Sequence, residues 1–279
     1  MKADLHVHTS NTDCSHSPET VFRMAKAIGI TAIAITDHDT LYGIDENRRI
    51  ADEVGVGYIP GMEISAYDYE NDVPCHIVGI NVRQGYKPLE DMITAVTENR
   101  HKHSEIQIQK LNEMGFYLSP EDFINKTGAH GIYKQHIMHA LLEKGYVKQM
   151  FGGFYSSMFK KGGPLYLKID YPKHTDAVRV LAESGAFPIL AHPTQYDNTG
   201  QVEKLIECGL RGMEVSYPSA SADQSAVLIG ICDRYALFKS AGSDFHGSYA
   251  KDTTGYVGSH YAGDIDALFK SADRGSEAV

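Results

Sequence analysis

Short apolar runs that are typical of buried strands alternate with helical patterns along most of this chain, and this alternation limits the folds open to it. The run at 30–36 is continuous and rich in β-branched residues, as in a parallel strand covered on both faces. Apolar residues at helical spacing precede it at 17–29 and follow it at 42–54. Strands are also predicted at 2–10, 57–60, 76–80, 187–191, 212–215 and 237–241. About seven alternations predict a parallel barrel or a doubly wound sheet.

Histidines and carboxylates lie at the ends of these apolar runs. In the first strand, His6 and His8 are two residues apart and therefore share a face. In barrels built from parallel strands, polar residues at the carboxyl ends of the strands are where catalysis takes place. His76 is the exception, because it stands at the start of its strand. The residues in this pattern are His6, His8, Asp13, His38, Glu63, His76, His192, Asp244 and His246.

Nine nitrogen and oxygen donors suit more than one divalent metal ion. The set contains no thiolate, which favours Mn2+, Zn2+ or Fe2+ over a soft metal. A carboxylate such as Glu63 could bridge two ions about 3.5–4 Å apart, which polarise a phosphoryl oxygen and generate hydroxide near neutral pH. The pattern therefore predicts more than one divalent metal ion and fits hydrolysis of phosphate esters. The alternative is that these residues are unrelated helix caps and core residues.

Composition and charge exclude several partners. The 279 residues are 42% hydrophobic and 22% charged, as in ordinary globular proteins. A net charge of −10 argues against broad attraction to nucleic acid or an anionic membrane, so no long nucleic acid is expected. No signal peptide is visible, and no apolar run approaches the ~20 residues of a membrane span. Four scattered cysteines favour the reduced cytoplasm. The oligomeric state stays open.

The alternation stops near Gly85 and resumes after about residue 170. The stretch between is mostly helical by periodicity, rich in Lys, His, Gln and Tyr, and carries no buried-strand run. Turns are predicted at 127–131 and 151–153. We therefore expect a barrel domain from 1–85 and 171–279, with 86–170 inserted as a helical subdomain that caps the substrate.

Five ordered motifs resemble the polymerase and histidinol phosphatase (PHP) family. They are His6-x-His8, Thr36-Asp37-His38-Asp39, Gly61-Met62-Glu63-Ile64, Ala191-His192-Pro193 and Gly242-Ser243-Asp244-Phe245-His246-Gly247. The resemblance spans the chain and implies an α/β fold, a distorted (β/α)7 barrel with up to three metals. It implies that one ion is bound by His6, His8, Glu63 and Asp244. A second would be bound by Glu63, His76 and His192, and a third by Asp13, His38 and His246.

The resemblance also implies a stand-alone phosphoesterase with a small phosphorylated substrate. Metal-bound hydroxide would attack phosphorus, with His192, Asp244 and Glu63 as the catalytic residues. Relatives that cleave nucleoside 3′,5′-bisphosphates or trim RNA ends carry Gly-Arg-Pro-His in the insertion, where this chain has Ile-Tyr-Lys-Gln-His at 132–136. Other members open cyclic phosphates of phosphorylated sugars. Both a nucleoside 3′,5′-bisphosphate and a cyclic phosphate of ribose 5-phosphate therefore stay open as substrates.

Several further side chains are candidates for substrate contacts. They are Lys134, His136, Tyr217 and His16, together with Lys160 and Lys161, which are less favoured than Lys134. A lysine could hold a second phosphate, although a solvated helical face is the common alternative. Tyr217 could stack on a sugar or base, or be a plain loop aromatic. His16 could contact substrate, or be a surface turn residue.

Two other classes of function stay open. Related metal barrels hydrolyse amides and esters, which would predict activity on neutral acyl substrates. A non-catalytic metal-binding module, like the inactive domains attached to some polymerases, is the second. Such copies usually lose metal ligands, and every expected ligand is present here.

Overall fold

The computed structural model of the chain describes residues 1–124, 131–250 and 255–270. The turn expected at 127–131 lies almost entirely outside them. The strands are β1 Ala3–Val7, β2 Ala32–Ile35, β3 Gly57–Ile64, β4 Tyr67–Asp68, β5 Val73–Pro74, β6 Ile77–Ile80, β7 Phe187–Leu190, β8 Gly212–Ser216 and β9 Phe238–Ala241. Seven of them form one sheet in the order β1-β2-β3-β6-β7-β8-β9, and β4 pairs with β5 alone.

The two edges of the seven-stranded sheet meet. Just past the end of β9, the Asp244 backbone N–H donates to the His6 carbonyl oxygen at 2.9 Å. The His8 N–H donates to the Phe245 carbonyl oxygen at 3.1 Å, beside a parallel bridge between Val7 and Phe245. These bonds nearly close the sheet into a barrel, so the expected distorted seven-stranded α/β barrel is confirmed.

One strand of the barrel runs against the others. β6 is antiparallel to both neighbours, with Val78 opposite Glu63 of β3 and Ile77 opposite Leu190 of β7. The other pairings in the sheet are parallel. The parallel arrangement that the alternation predicted therefore does not extend to β6. The reversal explains His76, because the amino end of β6 lies beside the carboxyl ends of its neighbours.

Helices cover the barrel and fill the insertion. They are α1 Pro18–Ala27, α2 Ile44–Val54, α3 Lys87–Glu113, α4 Lys134–Glu143, α5 Gly153–Phe159, α6 His174–Glu183, α7 Val202–Glu207, α8 Ala222–Tyr235 and α9 Asp266–Lys270. α1 begins at Pro18, and the Ser17 side chain before it accepts from the Thr20 N–H. No helix within the described ranges is long and apolar enough to cross a membrane.

Most of the stretch between β6 and α6 has an apolar core of its own, although Leu89 and Ile93 at the start of α3 pack in a barrel cluster. In the barrel, Leu5, Ala34 and Val78 belong to one buried cluster drawn from adjoining strands. The stretch between β6 and α6 forms α3, α4, α5 and a 3-10 turn at Pro120–Phe123, as its periodicity predicted. Its buried cluster includes Leu111, Phe123, Met138, Leu141 and Phe159, with Tyr249 joining from beyond β9. The boundaries 86–170 stay a prediction.

Candidate metal centre

Glu63, near the end of β3, lies at the centre of the polar cluster. Its Oε1 atom lies 3.0 Å from both His76 Nδ1 and His192 Nε2. Its Oε2 atom lies 3.1 to 3.4 Å from ring nitrogens of His38, His6 and His8. One carboxylate therefore contacts five imidazoles, with its two oxygens turned to different histidines. A carboxylate placed in this way could bridge two metal ions.

A second carboxylate approaches the two histidines of β1. The Nε2 atoms of His6 and His8 face each other at 3.1 Å, and Asp244 Oδ1 lies 3.4 Å from each of them. These three side chains can each place one ligand atom within 4.8 Å of the other two. Two facing ring nitrogens beside a carboxylate form a set that a shared cation stabilises.

Asp13 collects a third set on the other side of His8. Its Oδ2 atom lies 3.4 Å from His246 Nε2 and 3.8 Å from His38 Nε2, and its Oδ1 lies 3.6 Å from His8 Nδ1. All four residues can place ligand atoms within 4.8 Å of one another. A further set of this kind is formed by His38, Glu63 and His76.

All nine strand-end residues therefore lie in one cluster. The sets overlap more than expected, because His8 and His38 each belong to two of them. The donors are imidazole nitrogens and carboxylate oxygens, which suit divalent Zn, Mn or Fe. The chemistry of the cluster thus fits metal ions, while the assignment of each ligand to one ion stays a prediction.

The electrostatics of the cluster favour bound positive charge. Burial opposes protonation of His8, but hydrogen bonds to Asp244 and Glu63 and the charge of Asp13 outweigh it and raise the pKa of His8 to about 10. Burial also opposes ionisation of Asp13, yet His246 and His38 hold the pKa of Asp13 well below its usual range. The carboxylates thus attract cations strongly. Protons and divalent metal ions compete for these positions.

Backbone strain accompanies two of these residues. His192 has a φ of 26° and Asp244 a φ of 48°, values that side chains other than glycine rarely adopt. Each residue follows directly or closely after a strand, and the turn aims its side chain into the cluster. Strain of this kind concentrates at functional sites, where the surrounding structure fixes it.

Glu214 of β8 orients two residues of the cluster, and sequence reasoning gave it no role. Its Oε1 atom accepts from His6 Nδ1 at 2.9 Å, and its Oε2 atom accepts from the His192 N–H at 2.6 Å. A carboxylate on Nδ1 leaves Nε2 of His6 as the free ligand atom. The signal was available, because Glu214 is a carboxylate within an apolar strand.

Two other side chains hold Asp13 and its loop. Gln135 Nε2 donates to Asp13 Oδ2 at 2.7 Å, so the insertion contacts the cluster directly. Asp37 accepts from the Thr9 N–H at 2.7 Å and from the Thr12 hydroxyl at 2.8 Å. These bonds fasten the loop that carries Asp13 to the end of β2. Gln135 stood in the motif at 132–136 without an assigned role.

A cavity of about 450 Å3 opens beside the cluster. The insertion contributes Gln135, Phe151, Tyr155 and Lys160 to its wall, and the barrel loops contribute Gln195, Tyr196, Tyr217, Pro218, Ser219, Tyr249 and Ala250. Seven of the nine cluster residues also reach it: Asp13, His38, Glu63, His76, His192, Asp244 and His246. The wall is therefore aromatic opposite a polar floor.

The four preferred candidates for substrate contacts lie in different surroundings. Tyr217 lines the cavity, with its hydroxyl 2.6 Å from the Thr194 hydroxyl. Lys134 is partly buried and is not among the residues that line the cavity, and burial together with the charges of Arg100 and Lys160 lowers the pKa of Lys134 to about 8.

His136 and His16 do not line the cavity in the described part of the chain. His136 is buried, and its Nδ1 accepts from the Tyr133 N–H at 3.0 Å. Burial lowers the pKa of His136 to about 4, so the ring is neutral near pH 7. His16 Nδ1 lies 2.8 Å from the Ser15 hydroxyl. Among the lysines of the described residues, it is Lys160, less favoured than Lys134 by the sequence, that reaches the wall.

Comparison with known proteins identifies the family. The model of the PHP domain matches residues 4–184. The chain belongs to the PHP family. This PHP protein is 36% identical over 252 residues to the phosphoribosyl 1,2-cyclic phosphate 1,2-diphosphodiesterase of Eggerthella lenta, covering 90% of this chain and 96% of that one. It is 28% identical over 261 residues to the 3′,5′-nucleoside bisphosphate phosphatase of Chromobacterium violaceum, covering 87% and 86%.

Solved structures share the fold of this PHP protein. A protein from Bifidobacterium adolescentis superposes with a TM-score of 0.87 at 24% identity, over 98% of this chain and 96% of that one. An amidohydrolase from Chromobacterium violaceum, solved with bound sulfate and no metal, gives 0.79 at 26% identity over 92% of each chain. The matched PHP region ends at residue 184, yet His192, Asp244 and His246 beyond it lie within the same cluster.

Proposed function

We propose that this PHP protein is a metal-dependent phosphoesterase that opens the cyclic phosphate of a phosphorylated pentose and releases inorganic phosphate. The observation that carries the proposal is the contact of Glu63 with five imidazoles at the floor of a 450 Å3 cavity. The identity with a cyclic phosphate diphosphodiesterase over almost the full length of both chains supports the choice of substrate.

We propose that the nine cluster residues hold two or three ions of Mn2+, Zn2+ or Fe2+. Glu63 would bridge two ions, with Asp13, His38 and His246 forming the third site. Bound ions supply Lewis acidity towards a phosphoryl oxygen and lower the pKa of bound water. The side chains of Glu63, His192 and Asp244 lie on the cavity floor, so they are the residues that we propose to act closest to the phosphorus.

The insertion would supply the groups that recognise the rest of the substrate. We propose that 86–170 caps the cavity, because Gln135, Tyr155 and Lys160 reach its wall from this stretch. Lys160 lines the cavity, and its charge acts together with that of the neighbouring Lys134. These two ammonium groups would attract the second phosphate of the substrate. His136 and His16 would act by supporting neighbouring residues, given that neither lines the cavity. Tyr217 is 1% exposed, so it would shape the wall through the contact of its hydroxyl with Thr194.

A nucleoside 3′,5′-bisphosphate is the second candidate substrate. The aromatic wall favours it, because Tyr155 and Tyr196 line the cavity with partly exposed rings on which a base can stack. The 28% identity with a nucleoside bisphosphate phosphatase supports the same reading. A pentose with two phosphates is common to both substrates.

A matched pair of substrates tests the proposal. Phosphate release is measured with Mn2+ supplied, from a five-membered cyclic phosphate of ribose 5-phosphate and from a nucleoside 3′,5′-bisphosphate, with His192→Ala as the blank. The proposal expects turnover of the cyclic ester. Turnover of the bisphosphate alone would move the substrate to nucleotides. Release from neither, with metal bound, would favour the acyl hydrolase or the non-catalytic metal module.

We also propose a cytoplasmic location. All four cysteines are free, and Cys14, Cys75 and Cys232 are buried without a disulfide. Proteins that persist in oxidising compartments more often use such residues as cross-links. Cell fractionation of a tagged chain would check this expectation.

A further inference from the structure

A buried arginine connects the insertion to the barrel. Arg100 of α3 is 8% exposed, and its Nη2 donates to Asp39 Oδ2 at 2.6 Å and to the Ser65 hydroxyl at 3.0 Å. Its Nη1 donates to the Tyr133 hydroxyl at 3.3 Å, and the guanidinium lies 4.7 Å from the centre of the Tyr133 ring. One side chain thus joins the loop after β2, the end of β3 and the start of α4.

Two of these partners also hold His38. The Ser65 hydroxyl lies 3.4 Å from His38 Nδ1, and the Tyr133 hydroxyl donates to the His38 carbonyl oxygen at 3.3 Å. Asp39 follows His38 directly, and its Oδ1 accepts from the Ser65 N–H at 2.8 Å. Arg100 therefore stabilises the groups that fix both the ring and the backbone of His38.

The same contacts fix the part of the insertion nearest the cavity. Tyr133 precedes α4, and its N–H donates to His136 Nδ1. The next two residues are Lys134, whose charge interacts with that of Lys160, and Gln135, which lines the cavity and donates to Asp13 Oδ2. Placing Tyr133 therefore places Lys134 and Gln135.

A merely structural ion pair would not need this arrangement. An ion pair with Asp39 alone would balance the buried charge of Arg100. A lysine ammonium that reached the carboxylate could form such a pair equally well. The observed contacts instead use both ends of a planar guanidinium and its face, which the single ammonium of lysine cannot reproduce. The shape of the contact set points to positioning as well as to charge balance.

We infer that Arg100 is a positioning residue that locks the inserted helices to His38, so that the position of the insertion and the affinity of the Asp13–His38–His246 metal site are set together. Its effect on phosphate release rests on the proposed function. Its effect on metal binding does not, because the affinity of the site can be measured without any substrate.

The test compares Arg100→Lys, Arg100→Ala and Tyr133→Phe with Gln107→Ala as control. Gln107 is a buried α3 residue that donates to the Leu165 carbonyl oxygen, within the insertion. Folding is checked by circular dichroism. Binding of Mn2+ is measured from the paramagnetic resonance signal of the free ion, and total metal from elemental analysis. Phosphate release from the cyclic ester gives kcat and KM separately.

For Arg100→Lys and Arg100→Ala we expect the sites that use His38 to lose affinity by about 10- to 100-fold, while a site formed without His38 keeps its affinity. Added guanidinium should restore affinity in Arg100→Ala, because the ion can occupy the vacated space. Tyr133→Phe removes only a hydroxyl, and we expect an intermediate loss. This variant decides the question if Arg100→Ala does not fold.

Two results would overturn the inference. One is unchanged Mn2+ affinity at every site in folded Arg100→Lys and Tyr133→Phe. The other is an equal loss of Mn2+ affinity in Gln107→Ala, which would mean that the loss follows from lower stability of the insertion in general. If the unaltered protein releases no phosphate while the Mn2+ results hold, the proposed function fails and the positioning role stands.

Discussion

At the scale of single residues, the carboxylate of Glu214 accounts for the orientation of two cluster residues. Both of its oxygens accept from N–H groups, at His6 Nδ1 and at the His192 backbone. Glu214→Gln replaces one oxygen with an NH2 group, so one N–H then faces another donor. We expect metal affinity to fall about 10- to 100-fold, as for other partners of ligating histidines. Titration with Zn2+ and a competing chelator measures this.

The control for that variant is Glu183→Gln, an exposed α6 residue that contacts the Tyr86 hydroxyl. It should bind metal like the unaltered protein. Equal affinities for Glu214→Gln and Glu183→Gln would mean that His6 keeps its orientation without the carboxylate.

Burial and neighbouring positive charges oppose the charge of the Lys134 side chain. Its pKa of about 8 is below the usual 10.5, so the folded state releases this proton more readily than the unfolded state. The free energy of unfolding should therefore rise with pH between about 8 and 10.5. Lys134→Met removes the cost of the buried charge. At pH 7 we expect it to raise stability by on the order of 2 kcal/mol and to raise KM for the phosphorylated substrate.

Urea unfolding at pH 7 and pH 10 measures this effect, with exposed Lys148→Met as the matched control. The gain in stability should shrink at pH 10, since the unaltered lysine is then neutral in the folded state. A Lys134→Met protein that is less stable at pH 7 would contradict the assigned environment.

At the scale of elements, glycine is required where β9 returns to β1. A Cβ atom on Gly242 would lie 2.7 Å from the His6 backbone nitrogen, closer than real Cβ atoms approach. Gly242→Ala must therefore push the two strand ends apart, at a cost of about 1–3 kcal/mol. Metal affinity should fall together with stability, because His6 and Asp244 lie on opposite sides of the contact between β1 and the end of β9.

Gly263→Ala is the control for this contact, since nothing lies within 4 Å of the added carbon. Guanidinium unfolding and Mn2+ binding are measured on both variants. If Gly242→Ala unfolds at the same denaturant concentration as Gly263→Ala, the two strands are not held as closely as described.

The sequence predicts these elements well where apolar periodicity governs them, and less well where strand direction matters. A run such as 76–80 has the same pattern whichever way it runs, so the reversal of β6 could not be predicted from periodicity. In the sequence, His76 is therefore an exception at the start of its strand. In the structure, its Nδ1 lies 3.0 Å from Glu63 Oε1, as the reversed strand requires. Arg100, Gln135 and Glu214 were missed for another reason. Their roles depend on partners 22 to 208 residues away, which local spacing does not reveal.

At the scale of the whole molecule, the nine residues of the polar cluster come from parts of the chain that are far apart in sequence. Its residues come from β1, β3, the start of β6 and the loops after β1, β2, β7 and β9. Gln135 adds a contact from the insertion. Ions bound here therefore cross-link nearly every strand of the barrel. The folded state alone offers the assembled site, so binding must stabilise that state.

Removal of metal should consequently lower the stability of the whole molecule. At an ion concentration 100 to 1,000 times the dissociation constant, each site contributes about 2.7 to 4.1 kcal/mol. Chelation should abolish phosphate release and lower the melting temperature by several degrees, and added Mn2+ should restore both. The apo protein should still fold, because protons can neutralise part of the cluster: the carboxylates around His8 raise its pKa to about 10.

In Glu63→Gln, the bridging charge is lost, so added Mn2+ should raise the melting temperature much less than in the unaltered protein. Scanning calorimetry with and without chelator measures both proteins, and an equal Mn2+ response in the two would show that Glu63 is not at the centre of the metal site.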